Sequence, residues 1–87
     1  MNFRKLRGVN RSYKEQGEIF FTCLNYAKQP KAVKEKIRKL CKEVGGQYEE
    51  ALFAMMTRDV SATWIEQHYF VSDSLMYTLR KKFYERW

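Results

Sequence analysis

Ser72, Ser74, Tyr77, Thr78 and Lys81 fall within one short stretch near the C-terminus, at spacings that a helix gathers along one side. Hydroxyl groups donate and accept hydrogen bonds, a threonine methyl packs on a thymine methyl, and a lysine ammonium donates to the acceptors of guanine. Such a row suits the base edges of a DNA major groove. Arg80, Lys82 and Arg86 share the stretch, and Arg4, Lys5, Arg7 and Arg11 form a basic N-terminal group. In these places cations suit backbone phosphates, which fix register without reading sequence. Asp73 is awkward beside phosphate, though its carboxylate can accept from a cytosine amino group.

Catalysis has no comparable support. There is no nucleophile–base pair, no phosphate loop and no set of carboxylates placed for chemistry, so neither an enzyme nor a cofactor is expected. Cys23 and Cys41 sit 18 residues apart on separate expected helices, and His68 is the single histidine, too few ligands for a four-coordinate zinc site. Both thiols fall on apolar faces, where a reduced cysteine behaves as a small hydrophobe. His68 reads as a surface or packing residue, and Trp64 and Trp87 as core or end-cap.

The 17 Lys/Arg against 10 Asp/Glu leave a net +7. By region the excess is +4 over residues 1–12, +4 over 13–46, −2 over 47–60 and +1 over 61–87. A cationic field of this kind favours polyanions, nucleic acid first and an anionic membrane surface second; the plainer reading is a solubilising surface. No run approaches the ~18 apolar residues of a membrane span, and no signal-peptide run follows the basic N-terminus. A cytoplasmic, reduced protein is expected, with no membrane association.

The elements that must position these groups are helical. Residues 1–11, with four basic residues, Gly8 and little periodicity, read as a mobile arm able to follow phosphates or enter a minor groove, or as a frayed end. Ser12 and Glu15 form a capping box that opens a first helix, with Ile19, Phe20, Cys23, Leu24 and Ala27 on one face and an end near Gln29, before Pro30. Pro30 opens a second helix with the stripe Val33, Ile37, Leu40, Cys41 and Val44, closed by Gly45-Gly46. Its lysines form a solvated face or a phosphate contact. A third helix runs over 47–58 with Tyr48, Ala51, Leu52, Met55 and Met56 inward. The expectation is an all-α, compact bundle of about five helices over residues 12–87, with no strand.

Residues 61–87 then read as a helix-turn-helix. Ser61 caps a fourth helix with Trp64, Ile65 and Tyr69 inward, a turn lies at Phe70-Val71-Ser72, and Ser72 caps the last helix, which buries Met76, Leu79 and Phe83. The motif wants an apolar residue just after the turn, two more at offsets of five and eight, and one six residues before; Val71, Met76, Leu79 and Ile65 supply them. Two positions depart from the common form. Glu66 stands where a small residue lets the helices approach, and Phe70 stands where Gly is usual, so a non-standard turn is expected.

Residues from about Ile19 to Trp87, notably Cys-Leu-Asn-Tyr (23–26), Leu-Cys-Lys-Glu-Val-Gly-Gly-Gln-Tyr (40–48), Ala-Leu-Phe (51–53) and Tyr-Phe-Val-Ser-Asp-Ser-Leu-Met-Tyr-Thr-Leu-Arg-Lys-Lys-Phe-Tyr (69–84), resemble the small helix-turn-helix proteins of prophages and integrative elements in Gram-positive bacteria. That family is taken to comprise DNA-binding or sigma-factor-like regulators. The resemblance implies a bacterial or phage source and a role in transcription or mobile-element maintenance; it supplies no contact residue.

The leading expectation is a DNA-binding transcriptional regulator with residues 72–87 as recognition helix in double-stranded DNA, acting as a homodimer or on tandem sites. The alternative is a small helical interaction module, a phage-encoded inhibitor or adaptor docking on RNA polymerase or another host protein, with Tyr77, Tyr84 and Trp87 as exposed anchors.

Overall fold

Ser12 accepts a hydrogen bond from Glu15 N–H at 3.1 Å while the Glu15 carboxylate accepts from Ser12 N–H at 3.1 Å, and this reciprocal cap starts α1 (Tyr13–Leu24). The computed structural model describes residues 6–58 and 60–87. Arg4 and Lys5 lie outside the described residues.

α1 buries Gln16, Ile19, Phe20 and Cys23. It ends earlier than the sequence reading has it. Asn25 caps the end, its N–H and Nδ2 both donating to the Phe21 carbonyl at 3.1 and 3.0 Å, and Tyr26–Lys28 form a 3-10 turn before Pro30. Leu24 is consequently half-buried and Ala27 exposed.

Pro30 is the N-cap of α2 (Lys31–Gly45), which buries Ile37, Leu40 and Cys41. Gly46 closes it at a φ of 54° that L side chains resist, and a second 3-10 turn (Gly46–Tyr48) leads into α3 (Glu49–Thr57). Glu49 and Glu50 sit in the first turn of α3, where they favour the helix dipole. On α3 Ala51, Leu52, Ala54 and Met56 are buried; Met55, expected inward, is only half-buried and the small Ala54 takes the close-packed place.

Ser61 and Ser72 each cap as expected, accepting from Trp64 N–H at 3.1 Å and from Leu75 N–H at 3.2 Å. They open α4 (Ala62–Tyr69) and α5 (Asp73–Arg86). The described residues are thus all-α, with five α-helices. α2 packs on both α3 and α5, while α1 and α4 close the bundle against α3. None of these helices is long and apolar enough to cross a membrane.

The core gathers Ile19, Cys23, Ile37, Leu52, Ile65, Met76 and Phe83 from all five helices. Leu6 belongs to it too, although it precedes the first helix. Burial pushes both thiols up to about 12, so Cys23 and Cys41 are inert core residues rather than nucleophiles.

Candidate nucleic-acid interface

The α4–α5 pair is held by the residues whose offsets suggested it. Ile65, Val71, Met76 and Leu79 are all buried in one cluster. Between the helices Phe70 takes a left-handed conformation, φ 56° and ψ 44°, and its N–H donates to the Glu66 carbonyl at 2.9 Å. This corrects the expectation that its bulk would force a different turn. Phe70 occupies the conformation a glycine takes with less strain, and it does so with its side chain 90% exposed, where no packing opposes the ring. Glu66 is exposed, so its bulk does not stand between the helices.

On α5, Ser74, Tyr77, Thr78 and Lys81 follow one another at i, i+3, i+4 and i+7; the first three are exposed, whereas Lys81, expected to face out, is half-buried where the segment at Gly8 lies against it. Ser74 and Thr78 are exposed, with Thr78 Oγ1 donating back to the Ser74 carbonyl at 3.0 Å, which leaves its lone pairs and methyl outward. Tyr77 is 43% exposed, and the Lys81 ammonium stands 5.1 Å from its ring. Ser72 is exposed at the helix start, its oxygen engaged in the cap. Glu85, at i+11 from Ser74, continues the same side with a negative charge, so the cationic and neutral part of the row is its N-terminal two-thirds.

The residues expected at phosphates divide into two sets. Arg7 and Lys82 are exposed. Arg86 is exposed and lies 3.9 Å from Glu43 of α2. Arg11 and Arg80 are engaged internally. Arg11 Nε donates to the Tyr84 carbonyl at 3.0 Å and its guanidinium pairs with Glu15 at 3.2 Å. Arg80 points Nε and Nη2 at the Tyr84 hydroxyl, at 3.4 and 3.3 Å, with the Phe20 ring 5.7 Å away.

Tyr84 itself is fully buried, which corrects its place among the exposed anchors. It lies one turn beyond Arg80 and two beyond Met76, and burial raises its phenol above the ordinary value against the lowering effect of Arg80. Trp87 is half-buried, with its ring 5.9 Å from Phe83 and the Lys36 ammonium 4.1 Å from its centroid.

Sequence reasoning missed Gln16. Its side chain is fully buried and engaged at both ends: Leu6 N–H donates to Oε1 at 2.8 Å, while Nε2 donates to the Arg11 carbonyl at 3.0 Å and to the Leu6 carbonyl at 3.4 Å. Residues 6–11 are therefore laid on α1 and α5 rather than projecting as an arm. The signal was present, because Gln16 is three and four residues before Ile19 and Phe20 and so continues the apolar stripe with one polar group that needs partners. Comparisons with protein-family models, with curated proteins and with solved structures find no match for the chain.

Proposed function

We propose that the chain is a DNA-binding protein of the helix-turn-helix type, a cytoplasmic transcriptional regulator of the kind carried by prophages and mobile elements. Residues 72–87 act as the recognition helix, with Ser74 and Thr78 toward base edges in the major groove and Arg7 and Lys82 toward phosphates. One observation carries the reading: the apolar residues at helix-turn-helix offsets are buried together while a row of hydroxyl side chains on α5, Ser74, Tyr77 and Thr78, stays exposed. One such unit reads only a few base pairs, so specific binding takes two copies on paired half-sites.

Titration on a mixed-sequence duplex at two salt concentrations tests it. Binding that weakens steeply with salt is expected, the slope counting the phosphates neutralised. No binding at low salt would sink the DNA reading. It would favour instead an interaction module docking on a host protein, for which the exposed ring of Phe70 offers an apolar anchor.

A further inference from the structure

Gly8 and Lys81 meet where the N-terminal segment runs along α5. Gly8 has a φ of 76°, and a Cβ placed on it would stand 3.2 Å from Lys81 Nζ. The ammonium therefore lies close to bare main chain on one side, with the Tyr77 ring 5.1 Å from it. Among the described residues Lys81 is in no ion pair, and neither is Arg7, the neighbour of Gly8. The Lys81 ammonium and the Tyr77 ring thus border Gly8, which carries no side chain, and the exposed Arg7 directly precedes it. The buried carboxamide of Gln16 keeps the segment in place through Leu6 and Arg11.

We infer that the Gly8–Lys81 junction, with Arg7 and Tyr77, is a seat for a phosphodiester group of nucleic-acid backbone, and that Gln16 is the positioning residue that forms the seat. A phosphate oxygen accepts charge-assisted hydrogen bonds from ammonium and guanidinium donors, and a glycine lets it approach the main chain. A segment already fixed on α5 loses little freedom when the phosphate arrives, whereas a free arm must be ordered at every encounter. The inference rests on the DNA reading above and adds to it where one backbone contact lies and what builds it.

The experiment measures the salt dependence of binding to a mixed-sequence duplex for the full chain, with folding followed by circular dichroism. Each phosphate contact contributes about 0.9 to the logarithmic slope. Arg7→Ala is expected to make the slope shallower by about that amount. Gln16→Met, which keeps the volume but not the hydrogen bonds, should produce the same loss, and the double variant no further loss. Gly8→Ala, which crowds Lys81 from an exposed position, should reproduce it should Gln16→Met fail to fold. A folded Gln16→Met or Gly8→Ala chain with the unaltered slope overturns this inference alone. A wild-type chain that binds no duplex at low salt overturns it together with the reading beneath it.

Discussion

Arg11 Nε donates to the main-chain oxygen of Tyr84 at 3.0 Å, joining the residue before the α1 cap to the last turn of α5. The last carbonyls of a helix lack intrahelical donors, and a cation there also meets the negative end of the dipole. Arg11 is thus a cap supplied from the other end of the chain. Replacing it with Ala is expected to lower stability by about 1–2 kcal/mol. Urea denaturation would register the loss, while the salt slope of DNA binding should hold at its wild-type value; a shallower slope would return Arg11 to the phosphate-contacting set.

The turn between α4 and α5 stores strain in Phe70. A left-handed residue with a side chain costs about 1–2 kcal/mol, and glycine gives back part of the relief as chain entropy. Phe70→Gly should therefore stabilise by up to about 1 kcal/mol, a rise in melting temperature of roughly 4–8 °C per kcal/mol in a domain of this size. A lower melting temperature would mean that the ring packs on the fold despite its exposure.

The two sides of α5 should respond differently to truncation. Met76→Ala removes a buried side chain and is expected to cost about 2–5 kcal/mol, whereas Thr78→Ala on the outer side should stay within about 0.5 kcal/mol. Chemical denaturation of the two variants checks the face assignment directly. Comparable losses would place Thr78 in the packing and remove it from the readout row.

Cys23 and Cys41 should resist alkylation by iodoacetamide at pH 8 in the folded protein and react once urea unfolds it. Burial raises both from an ordinary value of 9.0 to about 12, so the thiolate is scarce in the fold. Because the folded value is the higher one, the stability that these thiols contribute is fully present below pH 9.0 and is lost as pH rises toward 12. Rapid native labelling at pH 8 would contradict the burial of both groups.

Sequence reading succeeded where the cause is local. Ser12, Ser61 and Ser72 cap the helices they were expected to open, and Gly46 closes α2, because a cap depends on a handful of consecutive residues. The buried row of Ile65, Val71, Met76 and Leu79 was legible as periodicity. What escaped depends on partners far away in sequence. Tyr84 is buried in the shared core with residues of distant helices such as Cys23, and Gln16 is satisfied by a segment that shows no periodicity of its own. α1 stops at Leu24, where the Asn25 side chain adds a second donor to the Phe21 carbonyl, and the Tyr26 that follows packs edge-on against Phe53 of α3 at 5.0 Å.

The hydrogen bond from Leu6 to Gln16 has a consequence for hydrogen exchange. Helical turns and neighbouring helices close short loops, whereas the segment before α1 is tied to α5 by a contact between residues 73 positions apart. Contacts of that kind, made by a terminal segment outside any helix, open at a lower free energy than the core does. The Leu6 amide proton therefore exchanges with solvent through lifting of the segment, with a protection set by the free energy of that lifting rather than of global unfolding. A single proton thus measures what fraction of the time the N-terminal segment is away from the helices it covers.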